Sequence, residues 1–219
     1  MAPAEDNLLR PRQAIREARL LLVTDPRQDL AARVEAAARG GVDVVQLRDK
    51  RASGEARKEL LPLAEELRGI CAREGALFTV NDDVELARLS GADGVHLGAE
   101  DEPTSRAREV LGPDAVIGRS AGTVGETLDA VRDGADYLGV GTVFATPTKP
   151  EAEVAGLALV REVSRAGLSL PWFAIGGVTR ETAPEVVAAG APGLAVVRAI
   201  LDAGDPEAAA RGLRSLLSG

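Results

Sequence analysis

Eight short apolar runs, separated by segments with a helical pattern, constrain the fold of this chain more than any other feature. Their starts lie about 25 residues apart on average, which suits one strand, one helix and two short loops per unit. The predicted strands cover residues 20–24, 43–48, 77–81, 94–98, 115–120, 137–143, 172–177 and 193–199. Strands that alternate with helices must run parallel, and eight such units favour a closed barrel over an open doubly wound sheet. The sequence therefore predicts an α/β protein with a single (β/α)8 TIM barrel.

Helix boundary signals and chain length indicate one domain. Asp25-Pro26 is predicted to open the first helix after strand one, and Asp205-Pro206 repeats that signal near the end of the chain. No linker divides the 219 residues, so residues 1–219 are predicted to form one barrel domain. Residues 1–19 are expected to form a leading helix that covers the bottom of the barrel.

Composition excludes several classes of function. A net charge of −8 and an aromatic content of 2% argue against nucleic-acid binding. Cys71 is the only cysteine, which leaves no internal disulfide and indicates a reducing cytoplasm. The N-terminal residues lack the apolar core of a signal peptide, and no run is long enough to span a membrane. We therefore expect a cytoplasmic protein with small-molecule ligands, and a homo-oligomer is left open.

Polar residues cluster where the predicted strands end. A period of two puts Gln46, Arg48 and Lys50 on one face at the end of strand two. The other strand ends carry Asn81-Asp82-Asp83, Glu100-Asp101, Arg119-Ser120, the loop "FATPTKP", Gly176-Gly177 and Val197-Arg198. Taken singly, each has an ordinary explanation as a helix cap, a solvated charge or a tight turn. Because the carboxyl ends of barrel strands meet at one mouth, their convergence predicts a functional site there.

The residue types divide this mouth into two halves. Asp82 and Asp101 could hold Mg²⁺, which takes one or two carboxylates together with substrate phosphates and water. Arg48, Lys50 and Lys149 supply positive charge suited to a diphosphate. Gly176-Gly177 lies at the strand-seven end, a common phosphate site in these barrels. His96 is the only histidine, which argues against a histidine-rich metal site; it is expected to pack or hydrogen-bond near strand four.

Seven motifs in order resemble the thiamine-phosphate synthase (thiamine-phosphate pyrophosphorylase) family. They are "VVQLRDK", "VNDDVELA", "GADGVHLGAED", "GRS", "GADYLGVGTVFATPTKP", "AIGGVT" and "GLAVVRAI", and the resemblance runs from about residue 20 to about residue 202. It implies a TIM-barrel transferase of thiamine biosynthesis. Such an enzyme joins 4-amino-2-methyl-5-hydroxymethylpyrimidine diphosphate to hydroxyethylthiazole phosphate, giving thiamine phosphate and diphosphate. The resemblance also implies Mg²⁺ dependence and a dissociative mechanism through a pyrimidine methyl cation.

The same resemblance implies a role for each matching residue. The implied metal ligands are Asp82 and Asp101. The implied catalytic residues are Arg48, Lys50, Ser120 and Lys149. The implied contacts to the pyrimidine diphosphate are Gln46, Arg48, Lys50, Asn81, Ser120 and Lys149. The implied contacts to the thiazole phosphate are Thr146, Thr148, Gly177, Val197 and Arg198. Residues 144–155 are the candidate lid.

Two alternatives use the same barrel. A thiazole tautomerase of the sister group tends to lose the Gln-Arg-Lys trio and relies on a histidine shortly after the strand-five serine. Here the trio is intact and position 122 is glycine. A non-catalytic barrel that binds a phosphate ligand would have no need of the carboxylates Asp82 and Asp101. Ala99, Ala121 and Gly122 depart from the residues that the family pattern favours.

Overall fold

Eight parallel strands close into a barrel in the computed structural model, which describes residues 11–50, 54–148 and 153–217. The strands are β1 (Leu20–Val23), β2 (Val44–Leu47), β3 (Leu77–Asn81), β4 (Gly94–Leu97), β5 (Val116–Ala121), β6 (Tyr137–Val140), β7 (Trp172–Ile175) and β8 (Leu194–Val196). Each strand pairs with its neighbours in chain order, and β8 closes on β1 with Leu20 opposite Leu194. The predicted (β/α)8 barrel is confirmed.

Helices connect the strands around the outside. They are α1 (Pro11–Glu17), α2 (Leu30–Arg39), α3 (Gly54–Glu74), α4 (Val84–Ser90), α5 (Thr104–Leu111), α6 (Val124–Arg132), α7 (Gly156–Ala166), α8 (Ala183–Ala188), α9 (Arg198–Leu201) and α10 (Pro206–Ser215). Asp205 caps α10 by accepting a hydrogen bond from the Ala208 N–H at 2.9 Å, as predicted. No helix in the described ranges has the length and apolar character needed to cross a bilayer.

Several predicted boundaries were wrong. The first helix after β1 begins at Leu30 and not at Asp25-Pro26. The Asp25 carboxylate instead accepts a hydrogen bond from Arg27 Nε at 2.7 Å, and Arg27 also bonds Asp202, so this segment is held as a loop against the end of α9. Strand β6 ends earlier than predicted, at Val140. Strand β8 also ends early, at Val196, because the chain turns directly into α9.

Alternation along the strands separates an inner from an outer core. The inner cluster includes Leu21, Val44, Leu77, Val116, Tyr137, Phe173 and Ala195, and the opposite strand faces pack under the helices. Ile15 of α1 is buried within this inner cluster. Helix α1, within the predicted leading segment, therefore places an apolar side chain in the barrel interior. Residues 1–10 lie outside the described part.

An aspartate stands directly before each of β2, β4 and β6. Its carboxylate accepts a hydrogen bond from a backbone N–H: Asp43 from Leu20 (2.8 Å), Asp93 from Phe78 (2.7 Å) and Asp136 from Ile117 (2.9 Å). In each case the carboxylate satisfies a backbone donor at the start of the preceding strand. These contacts tie neighbouring strands at the amino-terminal end of the barrel, opposite the predicted mouth.

Candidate active site

Of the three polar residues predicted on one face of strand two, only Gln46 lies within β2, and Arg48 and Lys50 follow its end at Leu47. Gln46 is 4% exposed and its side chain lies beside the Tyr137 hydroxyl inside the barrel. Arg48 follows the strand, half-buried, and its N–H donates to Thr24 Oγ1 at 3.0 Å. Lys50 is exposed at the rim. The trio thus rises from the barrel interior to its surface, and the Thr24 contact fixes its backbone to β1.

The three polar residues at the end of β3 have different structural roles. Asn81 ends the strand, half-buried, and pairs in register with His96 of β4. Asp83 caps α4 by accepting the Leu86 N–H at 2.8 Å, and it also pairs with Arg57 Nε at 2.7 Å. Asp82 has a φ of 63°, a left-handed conformation that few non-glycine residues adopt. Asp83 is therefore a structural cap, whereas Asp82 is the carboxylate held in an unusual backbone conformation at the mouth.

Asp101 brings a second carboxylate to Asp82. It accepts a hydrogen bond from the Gly98 N–H at 2.6 Å, which fixes the loop after β4. The Asp82 carboxyl lies within hydrogen-bonding reach of it. Asp82 as a residue is exposed, but desolvation of its carboxyl raises the pKa of Asp82 to about 6. The Asp101 carboxyl adds to that rise, and the positive charges of Lys50 and Arg48 oppose it. Two carboxylates and two cations from three strand ends therefore share one electrostatic field.

This donor set fits Mg²⁺ bound together with a phosphate-bearing substrate. Two carboxylates that face each other repel when both are ionised, and a divalent cation would relieve that repulsion. Among the residues that the structure describes, no group of three or more His, Cys, Asp or Glu side chains is arranged to hold a metal. Two protein carboxylates would therefore leave the other positions to substrate oxygens and water, as Mg²⁺ prefers.

Ser120 and His96 form a pair that sequence reasoning missed. Ser120 belongs to β5 and its Oγ lies 3.0 Å from His96 Nε2 of β4. The His96 ring packs on Tyr137 with centroids 5.3 Å apart, so the prediction that His96 packs or hydrogen-bonds near strand four is confirmed. Burial lowers the pKa of His96 to about 4, helped by the charge of Arg119 and opposed by Asp101. The imidazole is therefore neutral at physiological pH.

The loop after β6 lies on the double glycine after β7. The Phe144 N–H donates to the Gly176 carbonyl oxygen at 2.9 Å. Gly177 has a φ of 61°, and a β-carbon there would stand 2.7 Å from the Ala145 carbonyl oxygen. Both observations require glycine at position 177, because a side chain would push the two loops apart. The structure thus brings the predicted strand-six and strand-seven elements into direct contact.

The remaining predicted residues follow at the same end of the barrel. Thr146 and Thr148 are half-buried, and the Thr148 N–H donates to Thr146 Oγ1 at 3.3 Å. Val197 is half-buried and precedes α9, which begins with the exposed Arg198. Lys149 lies outside the described residues, as do residues 150–152 of the candidate lid.

Of two concavities in the described residues, one lies away from the central mouth and the other borders it. A cleft of about 610 Å³ between α2 and α3 is lined by Gln28, Asp29, Ala31, Ala32, Glu35, Glu65, Glu66, Gly69, Ile70 and Arg73. A cavity of about 120 Å³ lies beside Arg48, between the loop after β1 and α3. The cleft contains none of the strand-end residues, so the candidate site is assigned from the convergence of side chains at the mouth.

The fold and this mouth define the protein's class, a (β/α)8 barrel that carries a paired carboxylate and flanking cations at the ends of β2 to β4. Within that class the chain belongs to the TMP-TENI family, described as thiamine monophosphate synthase, whose family model matches residues 20–200. The family resemblance found in the sequence motifs is confirmed.

Curated relatives of this chain are thiamine-phosphate synthases. The protein of Synechococcus sp. (strain CC9311) is 49% identical over 206 residues, which cover 92% of this chain and 57% of that protein. The protein of Mycobacterium sp. (strain KMS) is 46% identical over 213 residues, covering 93% of this chain and 94% of that protein. The chain thus spans about three fifths of the length of its Synechococcus and Synechocystis relatives and nearly all of its Mycobacterium relative.

Solved structures agree with this assignment. The thiamine phosphate pyrophosphorylase from Pyrococcus furiosus superposes with a TM-score of 0.81 at 35% identity, covering 94% of this chain and 96% of that chain. A 3-hexulose-6-phosphate synthase superposes with a TM-score of 0.66 at 21% identity, covering 91% of this chain and all of that one. The second likeness concerns the fold alone.

Proposed function

We propose that this chain catalyses the Mg²⁺-dependent coupling of 4-amino-2-methyl-5-hydroxymethylpyrimidine diphosphate with hydroxyethylthiazole phosphate. The products are thiamine phosphate and diphosphate. The observation that carries the proposal is the Asp82–Asp101 carboxylate pair in the field of Arg48 and Lys50. Relatives at 46–49% identity that are named thiamine-phosphate synthase support the same reaction.

The half of the mouth at β2 to β5 suits the pyrimidine diphosphate. Asp82 and Asp101 would hold Mg²⁺, which would supply positive charge to the diphosphate as it leaves. Arg48 and Lys50 stabilise the same growing negative charge, and Lys149 is proposed to join them. The remaining proposed contacts to this substrate are Gln46, Asn81 and Ser120.

The half at β6 to β8 suits the thiazole phosphate. The strand-six loop occupies the space beside Gly177, so the proposed phosphate contacts there are the backbone N–H groups of the turn after β7. The other proposed contacts are Thr146, Thr148, Val197 and Arg198. Because the two halves face one mouth, both substrates would be held together and away from water.

Bond breaking precedes bond making in the proposed mechanism. The bond between the pyrimidine methylene carbon and the diphosphate oxygen breaks, and both electrons leave with the diphosphate. The resulting methyl cation is stabilised by the amino-pyrimidine ring, and the thiazole nitrogen then supplies the electron pair for the new C–N bond. The thiazole nitrogen carries no proton to remove, so no strong base is needed. A neutral, buried His96 is consistent with that requirement.

The tautomerase and the non-catalytic barrel are less well supported. Gly122 stands where a tautomerase histidine is expected, and its N–H donates to Glu126 Oε2 at 2.6 Å. A passive phosphate binder has no use for two carboxylates close enough to repel each other. A cytoplasmic location with small-molecule substrates and no nucleic-acid partner belongs to the same proposal, and a buried free Cys71 agrees with a reducing compartment.

A direct assay tests the proposal. The purified chain, mixed with both substrates and Mg²⁺, is expected to release diphosphate and thiamine phosphate in equal amounts, and EDTA should stop both. The measurement is a coupled diphosphate assay alongside chromatography of thiamine phosphate. If neither product rises above background, the synthase proposal is contradicted and the tautomerase or the non-catalytic barrel is favoured.

Replacement of Lys149 by alanine tests the cation set. Loss of one positive charge from the diphosphate is expected to lower kcat/KM about 10- to 100-fold. Arg211→Ala, which removes an exposed positive charge from the outer helix α10, serves as the control and should retain activity. Equal kinetics for the wild type and Lys149→Ala would remove Lys149 from the site.

A further inference from the structure

His96 has no role in the proposed chemistry, yet it lies directly beneath the mouth. Its ring is buried, and its Nε2 approaches the exposed Ser120 Oγ at 3.0 Å. Among the described residues, Ser120 Oγ makes no other hydrogen bond, so His96 alone fixes how that hydroxyl is oriented.

The ring cannot easily turn over. A β-carbon at Gly118 would stand 2.5 Å from His96 Nδ1 and 2.2 Å from Tyr137 Cζ, so the absence of a side chain there makes room for both rings. A β-carbon at Gly139 would lie 3.3 Å from His96 Cε1. Tyr137 is in turn packed edge-on by Phe173, with ring centroids 5.8 Å apart. The packing therefore limits rotation of the ring, and the contact with Ser120 places Nε2 on the mouth side and Nδ1 in the interior.

The two ring nitrogens differ in their partners. Within the described part of the chain, Nδ1 is buried and has no hydrogen-bond partner, whereas Nε2 has Ser120 Oγ. A neutral imidazole carries one N–H and one bare nitrogen. A proton on Nδ1 would create a buried donor without an acceptor, and unpaired donors are rarer in proteins than under-used acceptors. A proton on Nε2 avoids this because it is donated to the serine oxygen.

We propose that His96 is a positioning residue that donates from Nε2–H to Ser120 Oγ and so directs the serine hydroxyl proton outward, toward the substrate. Ser120 then acts as a hydrogen-bond donor in the mouth. The opposite tautomer would turn the serine proton inward and leave only an acceptor facing a negatively charged substrate.

This assignment rests on the proposed function for the identity of the acceptor, an oxygen or ring nitrogen of the pyrimidine diphosphate. A hydroxyl that already accepts one hydrogen bond donates a stronger second one, because the bonds polarise each other. Donation to the departing diphosphate would stabilise the charge that develops during bond breaking.

The tautomer can be observed without any substrate. His96 is the only histidine in the sequence, so ¹⁵N-histidine labelling of an untagged chain gives a spectrum from one side chain. Long-range ¹H–¹⁵N correlation at pH 7.5 is expected to show a protonated Nε2 and a bare Nδ1. A protonated Nδ1, or an imidazolium, would overturn the assignment.

Kinetics test whether His96 acts through Ser120. Ser120→Ala and His96→Leu are each expected to lower kcat/KM about tenfold, and the double variant should be no slower than Ser120→Ala alone. His96→Gln, whose amide can donate to the same oxygen, should recover most of the activity lost in His96→Leu. A further loss when His96→Leu is added to Ser120→Ala, or a Gln variant no better than Leu, would contradict the positioning role.

Phe173→Leu is the matched control, since it loosens the same aromatic packing without touching the His96–Ser120 contact. It should leave the His96 tautomer unchanged and cost less activity than His96→Leu; an equal loss would assign the effect of His96 to packing.

The outcomes also separate the two proposals. An inactive chain with a protonated Nε2 overturns the proposed reaction and the serine's role in it while the hydrogen-bond assignment stands. An active chain with a protonated Nδ1 overturns the assignment alone.

Discussion

Asp101→Ala is expected to lower kcat at least about a hundredfold and to weaken the response of the rate to Mg²⁺. The Asp101 carboxylate faces that of Asp82, and their repulsion is the feature that a divalent cation would relieve. With one carboxylate gone, the remaining site would hold the cation only through Asp82 and the substrate. The measurement is the rate of diphosphate release as a function of Mg²⁺ concentration.

Two further variants separate charge from loop structure. Asp101→Asn keeps an oxygen that can accept the Gly98 N–H, so it preserves the loop while it removes the negative charge. It should be nearly as slow as Asp101→Ala. Glu102→Ala removes the neighbouring, exposed carboxylate and should leave the rate unchanged. An unaltered Mg²⁺ dependence in Asp101→Ala would show that Asp101 is not a metal ligand.

The parts of the site that follow from strand direction were predictable. Parallel strands send their carboxyl ends to one rim, so Arg48, Asp82 and Asp101 could be expected together from the alternation of strands and helices alone. The placement of Arg48 and Lys50 directly after β2 follows from the same strand direction, although β2 ends at Leu47 and its period of two does not extend to them. These inferences need only the order of the elements and not their detailed geometry.

Within the rim, the sequence could not show which of two neighbouring residues caps a helix and which faces the mouth. Asp82 and Asp83 are chemically identical and adjacent, and either could have capped α4. The structure gives that role to Asp83, which has an extended backbone and Arg57 as a partner, and leaves Asp82 with a positive φ. The choice depends on backbone angles and on a side chain 26 residues earlier, neither of which the local sequence specifies.

The His96–Ser120 pair was unpredictable for a related reason. The two residues are 24 positions apart and meet only once the register of β4 against β5 is set. The signal that could have pointed to them is Gly118, which in register pairs with both His96 and Tyr137 and leaves room for their rings. A glycine inside a strand indicates that other groups pack closely against the backbone there, but it does not indicate which residues they belong to.

The repeated aspartates were also missed, because "GVD", "GAD" and "GAD" at 41–43, 91–93 and 134–136 look like ordinary loop sequence. Asp136 shows why they matter. Its side chain is 6% exposed and accepts hydrogen bonds from the Ile117 N–H at 2.9 Å, Arg108 Nη2 at 2.6 Å and Arg12 Nε at 2.8 Å. It therefore joins β5, α5 and α1 at the amino-terminal end of the barrel.

Asp136→Ala is expected to lower the free energy of unfolding by about 3 kcal/mol, because it leaves a buried N–H unpaired and Arg108 without its partner. For a chain of this length that corresponds to a fall in Tm of roughly 6–12 °C. Chemical and thermal denaturation followed by circular dichroism measure both quantities. Asp133→Ala, which removes an exposed carboxylate three residues earlier, should change stability by less than about 0.5 kcal/mol.

Asp136→Asn should fall between these two, since an amide oxygen still accepts the Ile117 N–H but gives up the charge that Arg108 and Arg12 require. Asp136 lies at the opposite end of the barrel from the mouth, so the folded fraction of each variant should keep the wild-type KM at low temperature. A loss of less than about 1 kcal/mol in Asp136→Ala would show that the aspartate does not hold β5 to its neighbours. A raised KM with unchanged stability would instead mean that the two ends of the barrel are coupled.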